Sequence, residues 1–214
     1  MNFLKIEECE SNNGYGFGTT IYLSGCPRRC RGCFNQAGWK RKAGTEFTEE
    51  NYEYLEHCLE RGYIQRLSFS GGDPLAPWNR EGVLEICARV KEKFGKDIIT
   101  WIYTGYLLMD FKQGKEGFAQ CRGLAAYDGA AELENGLFLS ETDLKTDFAE
   151  KQGGSRFHVR EWDKENGFFC YLSKYTDFLV DGEYREKETH TEPFRGSDNQ
   201  ILWACKNGRW WIVQ

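Results

Sequence analysis

Three cysteines, Cys26, Cys30 and Cys33, stand in the string CPRRCRGC, a C-x3-C-x2-C spacing. Thiolates this close along a chain can converge on one inorganic centre if the loop wraps around it. Structural zinc usually takes four protein ligands, often from two separated C-x2-C knuckles, and the sequence has no second knuckle. Three thiolates on a cubane of four irons and four sulfides would leave one iron without a protein ligand, open to a small molecule. The spacing therefore favours an iron–sulfur site, with zinc and chance clustering as the other readings.

Such a loop has to be delivered and braced by regular elements. Thr19-Thr20-Ile21-Tyr22-Leu23 is β-branched and aromatic and stops at Ser24-Gly25, which predicts a strand leading into the cysteines. Thr48 followed by Glu49 and Glu50 predicts a helix start; Tyr52, Leu55 and Leu59 recur at helical spacing and Gly62 ends the run. Leu67-Ser68-Phe69-Ser70 alternates with period two and breaks at Gly71-Gly72-Asp73-Pro74. Residues 80–94 carry Val83, Cys87, Val90 and Phe94 on one helical stripe, with Gly95 as the stop. Residues 98–103 form a continuous apolar run, suited to a strand buried on both faces. This alternation of strand and helix implies parallel βα units, hence an α/β sheet or barrel. Between about 107 and 176 no period is sustained. Residues 178–182 read as another strand, and Asn207-Gly208 between two apolar runs predicts a carboxy-terminal hairpin.

Composition bounds the function. The 214 residues fit one domain. With 28 Lys and Arg against 33 Asp and Glu, the net charge of -5 argues against a protein that wraps nucleic acid. A hydrophobic content of 40% argues against disorder. No apolar run approaches the roughly 18 residues of a membrane span, and the first residues turn acidic and polar too early for a signal peptide. Nine cysteines, an odd number without an export signal, fit a reducing compartment. The expectation is a soluble cytoplasmic protein with no membrane and no direct nucleic-acid partner.

The string GCPRRCRGCFNQAGW at 25–39 resembles the cluster loop of the radical S-adenosylmethionine (SAM) enzymes. Among them it is most similar to the activating proteins of anaerobic, class III ribonucleoside-triphosphate reductases. Asn13-Gly14, FSGGDPL at 69–75, YTGY at 103–106, LVDGEY at 179–184 and FRGSDNQ at 194–200 occur in that family's order. The triad alone would indicate only radical SAM; FRGSDNQ makes the resemblance more specific.

The resemblance implies an α/β fold: a partial (β/α)6 radical SAM barrel in one domain, with a long insertion at about 107–176. It implies an oxidoreductase in which a [4Fe-4S] cluster on Cys26, Cys30 and Cys33 reductively cleaves SAM. The resulting 5′-deoxyadenosyl radical would take hydrogen from a glycine on the reductase's glycyl radical subunit. Gly32, Phe34 and Asn35 would belong to the segment that holds the adenine, with the Phe34 ring near it. Gly71, Gly72 and Pro74 would form the glycine-rich SAM motif, whose bare backbone carbonyls can approach the SAM ammonium group while Asp73 adds charge. Thr104 would line the pocket and Asp181 would face SAM. Glu183 departs from the basic residue often found there and gets no cationic role.

Other features are less directed. Arg28, Arg29 and Arg31, with Lys40, Arg41 and Lys42, form a local basic excess that could dock an acidic electron donor; the family implies reduced flavodoxin. Ordinary solvated charge is the competing reading. Cys9, Cys58, Cys87, Cys121, Cys170 and Cys205 read most simply as free thiols, although a second centre on Cys121 and Cys170 with His158 stays open. The insertion is expected to be a rim subdomain or lid touching the reductase, or else an excursion without function. Two alternative functions remain: an activase of another glycyl radical enzyme of the pyruvate formate-lyase type, and a non-catalytic iron–sulfur or zinc module.

Overall fold

A computed structural model of the chain describes residues 1–112, 167–188 and 192–213. Most of the expected insertion, and with it Cys121 and His158, falls outside the described residues. The first strand, β1 (Asn2–Glu10), is followed by β2 (Gly18–Leu23), β3 (Thr45–Glu46), helix α1 (Glu49–Leu59), β4 (Arg66–Gly71), α2 (Arg80–Phe94) and β5 (Ile99–Tyr103). Then come α3 (Leu108–Lys112), α4 (Gly167–Tyr175), β6 (Phe178–Asp181), β7 (Ile201–Lys206) and β8 (Arg209–Ile212).

All the described strands join one sheet in the order β3-β1-β2-β4-β5-β6-β7-β8. Its centre is parallel: β2 with β4, β4 with β5 and β5 with β6. Both flanks are antiparallel, so the described sheet is mixed, with four parallel strands where the family resemblance implies six. The terminal hairpin forms where Asn207-Gly208 predicts it, with both residues at positive φ.

Local chemistry accounts for the helices. Thr48 and Asn51 form a reciprocal capping box at the start of α1. α2 ends as expected at Gly95, in the left-handed region, whose N–H donates to the Lys91 carbonyl. Val83, Ile86, Cys87 and Val90 of α2 are buried, each large apolar side chain contributing about 1.5–3 kcal/mol. Alternation along the strands divides the core in two. Ile102, Leu179, Trp203 and Cys205 join the helices in one cluster, while Trp101, Phe178, Val180, Leu202 and Ala204 form a second on the opposite face. All the described α-helices contribute buried residues to the first cluster.

The second face is closed at the amino-terminal ends of the parallel strands. Trp101 stacks on Phe178 at 4.6 Å, and Tyr15 meets the Trp101 ring edge-on at 5.4 Å. Arg66, fully buried, lies beside them and gathers the loop between β1 and β2. It donates to the Tyr15 carbonyl at 3.2 Å, to Glu10 Oε1 at 2.8 Å, and to the Asn13 carbonyl and Ser68 Oγ. Gly14, at φ 127°, sits where a Cβ would come within 2.7 Å of both the Arg66 side chain and the Trp101 ring. The Asn13-Gly14 pair thus wraps a buried guanidinium, far along the strands from the cysteines.

Candidate functional site

Parallel strands place their carboxyl ends on a common edge, and the residues singled out from the sequence collect there. β2 runs into the cysteine loop, β4 into Gly71-Gly72-Asp73-Pro74, β5 into Thr104-Gly105 and β6 into Gly182-Glu183. These loops are laced together. The Gly72 N–H donates to the Leu23 carbonyl at 2.7 Å and the Asp73 N–H to the Gly25 carbonyl at 3.0 Å. Thr104 Oγ1 and the Gly105 N–H donate to the two Asp73 carboxylate oxygens at 2.7 and 2.9 Å. The Gly182 N–H donates to the Tyr106 carbonyl at 3.1 Å.

Cys26, Cys30 and Cys33 are all unpaired and half-buried. The loop is pinned at its start by the Gly25 N–H on the Gly38 carbonyl and the Cys26 N–H on the Trp39 carbonyl, and it turns at Gly32, φ 75°. Burial, reinforced by the Asp73 carboxylate, pushes the Cys26 thiol up to about 11. Burial also raises Cys30, with the Glu183 charge adding to it, while the Tyr184 backbone N–H directed at its sulfur opposes the rise. Among the described residues no group of three His, Cys, Asp or Glu side chains is arranged to hold a metal ion. A cubane takes each thiolate at a different iron, so its ligands need not converge on one point as those of a single zinc must. The donor set, three thiols on one loop and no fourth among the described residues, suits the cluster better than it suits zinc.

The surrounding residues are placed as follows. Asn35 Nδ2 is buried without a hydrogen-bond partner and lies 2.8 Å from the point a Gly71 Cβ would occupy. The Phe34 ring is 79% exposed, the most of any large hydrophobic side chain described. A donor without a partner and an uncovered ring, both beside the cysteines, are groups a ligand could satisfy. Gly32 faces Glu186: a Cβ there would meet its carboxylate at 2.9 Å. Pro74 is buried in the turn after β4.

Asp73 and Asp181 both hold the strand-end loops in place. Asp73 is almost fully buried and both its oxygens accept hydrogen bonds from protein, including the Leu75 N–H. Burial raises its pKa, and the bonds from Thr104, Gly105 and Leu75 oppose that rise. Its visible work is to tie β4 to β5, and Thr104 turns toward it. Asp181 is likewise buried; its Oδ2 accepts from the Leu108 N–H at 2.8 Å, anchoring the start of α3, while its Oδ1 is buried without a hydrogen-bond partner. Two of the cluster-loop arginines have acidic partners: Arg28 reaches Glu183 at 3.3 Å and stacks on Tyr106, and Arg31 reaches Glu186 at 3.2 Å. Arg41 stacks on Trp78. The local basic excess is therefore smaller than the sequence indicates. Cys170, expected as a free thiol, is disulfide-bonded.

Sequence reasoning missed Asn79. It is fully buried at the start of α2, and its Nδ2 donates at 2.9 Å to both the Ser24 and Asp73 carbonyls. A lone Asn before a helix signals a cap, not a bridge between loops. Gly72 has a second duty beyond leaving its backbone bare, because a Cβ there would lie 2.6 Å from the Ser24 carbonyl carbon. Gly72→Ala must therefore spread β2 from β4. The expected result is a loss of about 1–3 kcal/mol, typical of overpacking, with reduced iron content after anaerobic reconstitution. Unchanged melting and iron content would contradict this packing argument.

A family model described as a 4Fe-4S single cluster domain matches residues 12–134. An anaerobic ribonucleoside-triphosphate reductase-activating protein of Enterobacteria phage T4 is 30% identical over 98% of this chain and 98% of its own. Proteins of the same name from Vibrio cholerae and Haemophilus influenzae are 36% and 40% identical, over 54% and 50% of this chain and 76% and 70% of theirs. The bacterial relatives are thus shorter, whereas the phage relative matches nearly end to end. Among the described residues, no helix is long and apolar enough to cross a membrane.

Proposed function

Because the chain belongs to the family of anaerobic ribonucleoside-triphosphate reductase-activating proteins, we propose that it makes a glycyl radical on such a reductase, using SAM and a [4Fe-4S] cluster. Cys26, Cys30 and Cys33 would hold the cluster, which when bound supplies the electron that cleaves SAM, so that a hydrogen atom can be taken from the partner's glycine. The observation that carries the reading is the gathering of three unpaired thiols, the Gly71-Gly72 turn and the unpartnered Asn35 amide at one end of four parallel strands.

The chain's own residues prepare that site. Burial raises the Cys26 and Cys30 thiols, so binding them as thiolates to the cluster releases protons. Asn35 Nδ2 offers a donor to a bound ligand and Phe34 a face for its adenine. Gly71 and Gly72 present backbone without side chains. Asp73 and Asn79 fix the loops around this space, acting as positioning residues. The helices packed on one face, with the second core cluster on the other, support the partial-barrel reading. Of the exposed basic residues, Arg29, Lys40 and Lys42 would meet an acidic electron donor such as reduced flavodoxin.

The test is anaerobic reconstitution with iron and sulfide, then reduction with SAM and an anaerobic ribonucleotide reductase. The expected results are 5′-deoxyadenosine and an electron paramagnetic resonance doublet on the reductase. A colourless or zinc-loaded protein, or no SAM cleavage, would overturn the reading. A radical formed on pyruvate formate-lyase and not on the reductase would reassign the partner.

A further inference from the structure

The string FRGSDNQ at 194–200 lies outside the strand-end loops, immediately before β7. Its side chains fold into a small self-bonded turn. Gln200 Oε1 accepts from the Gly196 and Ser197 N–H groups at 2.8 and 3.2 Å, and Ser197 Oγ donates to Asn199 Oδ1 at 2.8 Å. The two amide nitrogens point away from this turn. Asn199 Nδ2 donates to the Glu183 carbonyl and Gln200 Nε2 to the Gly182 carbonyl, each at 2.8 Å. Further bonds run from the Arg185 N–H to Ser197 Oγ at 3.1 Å and from the Asp198 N–H to the Glu188 carbonyl at 2.7 Å. The turn therefore grips the backbone of residues 182–188.

That gripped segment in turn holds the cysteine loop. Glu183 pairs with Arg28 and Glu186 with Arg31. The Glu186 carboxylate sits against Gly32, where a Cβ would come within 2.9 Å of it. The two ion pairs are at least partly exposed and worth little alone, so they hold the loop only while the 182–188 backbone keeps both carboxylates in place.

We propose that Asn199 and Gln200 are positioning residues for the cysteine loop, acting through residues 182–188 to keep the Glu183 and Glu186 carboxylates against Arg28, Arg31 and Gly32. That the loop carries a cluster rests on the proposed function; the mechanical coupling does not.

In the double variant Asn199→Asp with Gln200→Glu each acid keeps the acceptor oxygen that the turn uses, loses the N–H pointing at residues 182–183 and sets a negative charge against the carbonyl it bonded. Hydrogen exchange is measured first on the full chain without a cluster. Loss of two net-favourable bonds should speed amide exchange in residues 182–188 by about tenfold or more, and in residues 26–34 with it, while β4 and β5 keep their protection. Faster exchange in 182–188 with wild-type exchange in 26–34 would overturn the proposal, as would no change in either. Should the double variant exchange faster throughout, Asn199→Asp alone, which removes one of the two bonds, is judged by the same comparison. A wild-type chain that takes up no cluster would defeat the proposed function and leave the exchange result standing.

Discussion

Cys30→Ala is expected to leave the chain folded and to remove its ability to activate a reductase. The thiol is half-buried in a loop and belongs to neither buried hydrophobic cluster. Its loss should therefore shift stability by no more than about 0.5 kcal/mol, as for surface positions without special features. Cluster retention should collapse, because losing even an outer-shell partner of a metal ligand costs about 10–100-fold and this change removes a ligand itself. Radical formation on the reductase should fall by about 100-fold or more. Cys205→Ala is the matched control. Cys205 is buried, burial holds its thiol up at about 12, and its sulfur donates to the Ser173 carbonyl at 3.1 Å. That variant should lose stability and keep its iron. Iron and sulfide per chain, melting temperature and the resonance signal of the reductase distinguish the two, and a Cys30→Ala protein with wild-type iron and activation would remove Cys30 from the site.

What could be read from the sequence were the elements with a period. α2 shows its stripe and its terminal glycine, β5 is a continuous apolar run, and the hairpin is marked by Asn-Gly; each appears where its pattern places it. β1 could not be read, because Lys5, Glu7 and Glu10 are poor strand formers that pairing with β2 holds in the strand. The candidate site was legible as a set of residues but not as a set of bonds. Spacing identifies Cys26, Cys30 and Cys33 and the Gly71-Gly72 turn. It carries no sign that Asp73 braces Thr104 and Gly105, that Asn79 bridges two loops, or that Asn199 and Gln200 grip residues 182–183. Single polar residues leave no period, and their partners lie far along the chain.

Arg66→Met should give the largest loss of stability, at the end of the sheet remote from the cysteines. The guanidinium is fully buried, and its removal takes the cation from the Glu10 carboxylate and a donor from each of the carbonyls of Asn13 and Tyr15. Breaking a buried ion pair from one side costs about 3–5 kcal/mol, and a chain of this size should melt on the order of 10 °C lower. The same pair sets an acid limit. Burial by itself would raise the Glu10 carboxyl, but the Thr20 hydroxyl and Arg66 outweigh it and hold the group below its ordinary value. A carboxyl depressed in the folded state adds stability that is present above its unfolded pKa, about 4.3, and is lost as pH falls through the folded value. Wild type should therefore lose this contribution below about pH 4, whereas Glu10→Gln should lack that part of the acid dependence. Double-mutant analysis supplies the decisive measurement: Glu10→Gln with Arg66→Met should be less destabilised than the sum of the single changes, because each single change strands the partner that the other removes. Strict additivity would mean that the two groups do not stabilise the fold as a pair.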